Sequence, residues 1–92
     1  MGTSYDRTRR HKRLTHVVTF AYCCTEKSTE IMFGVTSNIS AAGMCIYSDT
    51  WLDTGDVIEF RSSLPVPFRR AAVKWIRRDV NALYKIGLKF VG

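Results

Sequence analysis

Two short segments of the sequence carry the side chains with the clearest capacity for chemistry. Residues 9–13 read Arg-Arg-His-Lys-Arg, and residues 38–43 read Asn-Ile-Ser-Ala-Ala-Gly. Guanidinium groups bind planar anions through paired hydrogen bonds, and amide and hydroxyl groups supply further donors and acceptors. Asn, Ser and Gly are also typical of tight turns, so an ordinary turn is the simpler interpretation of the second segment. Brought together by the fold, the two segments would suit a planar anionic ligand.

The other reactive side chains do not form a catalytic or metal-binding pattern. Cys23, Cys24 and Cys45 are odd in number and lack the C-x-x-C spacing, and His11 and His16 do not complete a zinc site with them. No nucleophile and base, and no pair of carboxylates, occur at catalytic spacing. We therefore expect no enzyme, no metal and no cofactor, and we interpret the cysteines as reduced packing residues of a cytoplasmic protein.

The charge is concentrated at the beginning of the chain. The 92 residues carry a net charge of +6, and residues 1–13 hold five basic side chains against one acidic side chain. Such an arm is typical of proteins that bind an anion, although a solvated tail without contacts is the alternative. No apolar run approaches the roughly 20 residues of a spanning helix, so no membrane insertion is expected. The length predicts one domain.

Apolar residues recur with a period of two in most of the chain, which predicts short strands. The predicted strands cover residues 14–23, 30–36, 44–48, 57–60, 68–78 and 83–91. Their short connections favour antiparallel pairing, and closure into a barrel would remove the exposed strand edges. The sequence therefore predicts an all-β fold, a six-stranded antiparallel β-barrel over residues 14–92 with a flexible basic N-terminal arm over residues 1–13.

The same alternation assigns side chains to the core. It places alternate residues of each strand inside, including Phe20 and Tyr22, then Ile31, Phe33 and Val35, then Val73 and Trp75 on one face, then Ile86, Leu88 and Phe90. The large aromatic residues thus fall on the core face, and Trp51 and Trp75 are expected to pack in the core or at its rim.

The two polar segments resemble the two motifs of the PilZ domain family. Residues 9–13 look like its R-x-x-x-R motif, with Arg9 and Arg13 as the arginines, and residues 38–43 look like its D/N-x-S-x-x-G motif. The resemblance continues through Trp51, Gly55, Val57 and Phe60, and through residues 72–75 and 84–91. It covers nearly the whole chain and implies a six-stranded antiparallel barrel, in agreement with the predicted strands.

The resemblance implies that the chain binds cyclic di-GMP, a bacterial second messenger with two guanines and two phosphodiesters. An arginine fork fits either the O6/N7 edge of guanine or a pair of phosphate oxygens. The implied ligand-binding residues are Arg9, Arg13, Asn38, Ser40, Gly43 and Arg10. For Arg10 a solvated charge is the alternative role. Asn38 stands where many members have Asp, which removes a charge from the bond to guanine.

Two other functions remain open at this point. A small basic barrel can bind single-stranded nucleic acid, but the core placement of the aromatic residues argues against it, so no nucleic acid is expected. A PilZ-like adaptor without nucleotide binding would work through protein contacts alone. A downstream protein partner is expected for a PilZ domain that binds cyclic di-GMP and for one that does not, because the sequence contains no output domain.

Overall fold

The computed structural model describes residues 17–24, 26–27 and 29–92, and within them six strands form a closed barrel. The strands are β1 (Thr19–Cys23), β2 (Met32–Ile39), β3 (Gly43–Ser48), β4 (Val57–Phe60), β5 (Arg70–Arg78) and β6 (Tyr84–Val91), with a 3₁₀ turn at Val80–Ala82. Their order around the barrel is β1-β2-β3-β6-β5-β4, and every pair is antiparallel. The predicted fold class is confirmed. The predicted arm over residues 1–13, and the beginning of the predicted first strand, lie outside the described residues.

Side chains from alternate positions fill the barrel, as expected for a barrel of this size. Phe20 packs edge-on against Phe60, with ring centroids 5.9 Å apart. The Tyr22 hydroxyl shares a 2.7 Å hydrogen bond with Ser48 Oγ, and burial raises the Tyr22 pKa. The core residues predicted in the first and last strands are confirmed as buried: Phe20, Tyr22, Ile86, Leu88 and Phe90. Cys23 and Cys24 are buried too, which confirms their packing role.

The core face of β2 is the reverse of the prediction. Ile31 is 43% exposed and Phe33 is 63% exposed, whereas Gly34 and Thr36 face the interior. Gly34 leaves room for the Phe20 ring, which would lie 3.1 Å from a Cβ at that position. The Thr36 hydroxyl accepts a 3.0 Å hydrogen bond from the Val18 N–H, so its burial leaves no unsatisfied oxygen. The prediction that Ile31, Phe33 and Val35 line the core is therefore wrong.

Irregular pairing occurs in two strands and changes which side chains face outward. The register of β2 shifts between Thr36 and Asn38, and that of β5 shifts between Val73 and Trp75. An extra residue in one strand reverses the alternation that follows it. Val73 is consequently buried while Trp75 is 39% exposed, so the prediction that they share a face is wrong.

The connections between strands are short. No helix in the described part of the chain is long and apolar enough to cross a membrane.

The loop after β1 is held to the turn before β4 by Lys27, whose Nζ lies 2.6 Å from Asp53 Oδ2 and 3.1 Å from Asp56 Oδ2. The hydrogen bond that Lys27 donates to Asp53 lowers the pKa of Asp53 and raises the pKa of Lys27.

Candidate ligand-binding site

The polar segment at residues 38–43 forms the end of β2 and a tight corner into β3. The Ser40 N–H donates to the Gly43 carbonyl at 2.8 Å. The Ser40 hydroxyl donates to the same carbonyl at 3.2 Å and accepts from the Gly43 N–H at 3.4 Å. Ala41 and Ala42 form the two-residue loop without positive φ angles. Two-residue hairpin loops usually need positive φ, so the extra bonds from Ser40 support a less favoured turn.

Gly43 is required by the neighbouring strand. A Cβ on Gly43 would overlap the carbonyl oxygen of Leu88 in β6, and its φ is not in the left-handed region. The Phe90 N–H in β6 donates to the Ala42 carbonyl at 2.9 Å, which holds the corner against the same strand. The close crossing of β3 and β6 therefore accounts for this glycine, whatever approaches it from outside.

Four outward-facing residues lie side by side across four strands. Asn38 in β2 pairs with Cys45 in β3, Cys45 pairs with Gly87 in β6, and Gly87 pairs with Trp75 in β5. Asn38 lies within β2, beyond its bulge, whereas the sequence had placed it in the turn itself. Cys45 is half-buried in this row and not part of the core, unlike the other two cysteines.

Trp75 lies across Gly87 on the outer surface of the barrel. A Cβ on Gly87 would overlap the Trp75 indole, so the absence of a side chain there makes room for the ring. The Arg77 guanidinium lies over the Trp75 ring, with its central carbon 5.3 Å from the ring centroid. Sequence reasoning missed Trp75 as a site residue. The available signal was an aromatic residue facing a glycine on the neighbouring strand, a known packing arrangement in sheets.

This row forms the floor and walls of a groove of about 220 Å³. Its lining residues are Asn38, Ser40, Gly43, Met44, Cys45, Lys74, Trp75, Gly87 and Leu88. Three of the predicted ligand-binding residues thus lie together, namely Asn38, Ser40 and Gly43. The other three, Arg9, Arg10 and Arg13, lie outside the described residues.

The composition of the groove favours a flat, anionic ligand. Among the residues that the structure describes, Lys74 is the one charged residue lining the groove, and it is exposed. The Asn38 amide offers hydrogen-bond donors and an acceptor, and the Trp75 indole offers an aromatic face. No three metal-ligating side chains cluster in the described ranges. The site can therefore bind a ligand by stacking, hydrogen bonding and charge.

The sequence comparisons give the family. No curated protein sequence matches this chain. The PilZ domain family matches residues 7–92, a span that includes both the arginine-rich segment and the corner. Because the match covers nearly the whole chain, this chain belongs to the PilZ domain family.

Proposed function

We propose that the protein is a receptor for cyclic di-GMP, which binds in the groove between Asn38 and Trp75. PilZ domains are binding or adaptor domains, and cyclic di-GMP is their typical ligand. The observation that carries the proposal is the single groove that contains Asn38, Ser40 and Gly43 together with Lys74 and Trp75. It combines amide, hydroxyl, ammonium and indole groups, which match the base edges, phosphates and ring faces of a dinucleotide.

In the proposed complex the guanine edge bonds to Asn38, and the base stacks on the outer face of Trp75 in place of the Arg77 guanidinium. The phosphodiesters lie toward Lys74. Arg9 and Arg13 close over the ligand from the arm, and Arg10 adds to the positive potential. Arginine suits this position because its planar donors bind phosphate or guanine bidentately and also stack on a base.

Calorimetric titration with cyclic di-GMP tests the proposal. We expect Arg9→Ala and Arg13→Ala each to weaken binding by roughly 2–5 kcal/mol, the usual result of removing one partner of a desolvated charge pair. The thermal midpoint of the ligand-free protein should stay nearly unchanged. Arg61→Ala is the control, since Arg61 is an exposed arginine that contacts Glu59 and lies outside the groove. Wild-type affinity in both arm variants would rule out the arm as a ligand clamp.

A second substitution pair tests the groove side of the complex. Asn38→Ala should weaken the binding of cyclic di-GMP by about 1–2 kcal/mol through loss of a hydrogen bond to the base. Trp75→Ala should weaken it by about 1–3 kcal/mol, the usual worth of base stacking. A protein that releases no heat with cyclic di-GMP, while its thermal unfolding is normal, would be an adaptor without nucleotide binding.

Single-stranded nucleic acid is the second candidate function, and two aromatic residues on the outer surface favour it. The expectation that Phe33 faces the core is wrong, and this ring is 63% exposed on the outer surface. Tyr47 also faces outward, with Lys85 Nζ 5.7 Å from the centre of its ring. We expect cyclic di-GMP binding to survive a large excess of oligothymidylate. Tighter, length-dependent oligonucleotide binding with a steep salt dependence would favour nucleic acid instead.

A further inference from the structure

Strand β5 is longer than the strand beside it. β4 pairs with β5 only from Arg70 to Ala72. The last bonds on this side join the Val73 N–H to the Asp56 carbonyl and the Gly55 N–H to the Val73 carbonyl, each at 2.8 Å. Beyond Val73, no strand among residues 17–24, 26–27 and 29–92 pairs with β5 on this side, and β6 alone holds it. The end of β5 therefore presents an open strand edge within the described part of the barrel.

The backbone groups at this edge can be assigned from the hairpin. The Asp79 N–H donates to the Leu83 carbonyl at 2.8 Å. Antiparallel pairs alternate between hydrogen-bonded and non-hydrogen-bonded, and Asp79 faces Leu83 in a bonded pair. The backbone groups of Arg78 and Ile76, one and three positions before Asp79 in β5, therefore point away from β6. Each offers one N–H donor and one carbonyl acceptor at the open edge.

Positive charge surrounds this edge and is not neutralised by the described part of the protein. Lys74, Arg77 and Arg78 are exposed. Arg77 lies directly opposite Lys85 in β6, and like charges in that relation destabilise a sheet. Ion pairs within the described ranges involve only Lys27 and Arg61 as cations. An acidic partner would offset this concentration of positive charge.

We propose that the edge of β5 from Trp75 to Arg78 binds an extended acidic segment of a partner protein, which adds a strand to the barrel. Strand addition uses main-chain hydrogen bonds for affinity and alternate side chains for specificity. Side chains of the added strand that face outward lie beside Trp75 and Arg77, where carboxylates are favoured. A second copy of this chain is disfavoured at the same edge, because two such edges would bring identical positive charges together.

A labelled peptide tests the chemistry of this edge without any nucleotide. The probe is a blocked octapeptide that alternates glutamate and valine, and binding is followed by fluorescence anisotropy. We expect saturable binding that weakens at least tenfold when every glutamate becomes lysine. Two methylated peptides are compared, one with N-methyl groups on the odd-numbered residues and one with them on the even-numbered residues. One of the two should bind at least tenfold more weakly, and the other should bind nearly as well as the unmethylated peptide. If the two methylated peptides bind equally well, the peptide does not pair as a strand and the proposal fails.

Protein variants test the location. Arg77→Glu should weaken peptide binding at least tenfold. Arg61→Glu, at an exposed position away from this edge, should leave it unchanged. Arg78→Pro removes an edge N–H and should weaken binding with little change in the thermal midpoint, because proline is tolerated where an edge N–H faces solvent. Equal affinity in Arg77→Glu and wild type would overturn the proposal.

Amide hydrogen exchange gives a readout that a general charge effect would not produce. The Ile76 and Arg78 amides should exchange rapidly in the peptide-free protein and slow markedly with the peptide. If both already exchange slowly without it, the chain covers its own edge and no partner strand can bind. If oligothymidylate displaces the peptide at a lower concentration than unlabelled peptide does, this surface serves nucleic acid and the proposal is wrong.

Discussion

The hairpins β2–β3 and β5–β6 reach the same groove by similar means. Each has a bulge in its first strand, and each bulge turns one side chain outward, Asn38 in β2 and Trp75 in β5. Each also has a glycine in its return strand that permits a close contact. The contacts differ, because a Cβ on Gly43 would first meet the backbone of Leu88, whereas a Cβ on Gly87 would first meet the Trp75 ring. One wall of the groove is thus fixed by the main chain and the other by a side chain.

The two hairpins also differ in how their turns are formed. The β2–β3 corner keeps ordinary φ angles at Ala41 and Ala42 and depends on the hydrogen bonds of Ser40. The β5–β6 turn has positive φ at both Asn81 (61°) and Ala82 (62°). Positive φ at two successive positions matches the twist of a hairpin but is unfavourable for alanine. The first hairpin is therefore supported by side-chain bonds, and the second contains backbone strain.

The largest effect is expected from Gly43→Ala. The new Cβ meets a backbone carbonyl that cannot move without separating β3 from β6, so we expect a loss of about 3 kcal/mol in unfolding free energy. Urea denaturation measures this loss. Gly92→Ala is the matched control, because a Cβ there meets nothing within 4 Å. A loss below about 1 kcal/mol would mean that β3 and β6 can separate easily.

Gly87→Ala should have a smaller effect on stability and a clear effect on the groove. The Trp75 ring can rotate away from the new methyl group, so we expect a loss of about 1 kcal/mol in unfolding free energy. In a Trp51→Phe background, the remaining Trp75 emission should shift to longer wavelength and become easier to quench with acrylamide. Unchanged emission would show that the ring does not depend on Gly87, and the contrast with Gly43 would be lost.

The sequence predicted the fold well because the barrel interior has a period of two. The core residues predicted in β1 and β6, namely Phe20, Tyr22, Ile86, Leu88 and Phe90, are buried, and so is Phe60 in β4. The failures occur at the two bulges and at Gly34. A bulge adds one residue without a distinctive residue type, so the sequence alone places Trp75 on the same face as Val73. The burial of Gly34 depends on the Phe20 ring from another strand, and local alternation does not contain that information.

The candidate site was predictable only where a motif marks it. Asn38, Ser40 and Gly43 were identified by type and spacing, and the groove contains all three. Trp75 and Lys74 come from β5, more than 30 residues later in the chain. They reach the groove because β6 lies between β3 and β5 in the barrel, and Gly87 in β6 has no side chain. About half of this site therefore depends on the strand order and on the bulge that turns Trp75 outward. Neither can be recognised from the neighbouring residues in the sequence.

The smallest effect comes from the two turns, and it should have opposite signs in the two hairpins. Ala82→Gly removes the cost of a left-handed alanine, about 1–2 kcal/mol, and loses part of that gain to the greater freedom of glycine in the unfolded chain. We expect a net stabilisation of about 0.5–1 kcal/mol. Ala41→Gly, at ordinary φ in the other corner, has only the entropic cost and should destabilise by a similar amount.

Paired urea denaturation of these two variants measures the difference directly, and both alanines are exposed, so neither substitution removes core packing. Asn81 provides an internal comparison, because asparagine tolerates the left-handed region better than alanine does. Asn81→Gly should therefore stabilise the protein less than Ala82→Gly. If Ala82→Gly and Ala41→Gly change the unfolding free energy in the same direction, the β5–β6 turn does not hold the strain that distinguishes it from the Ser40 corner.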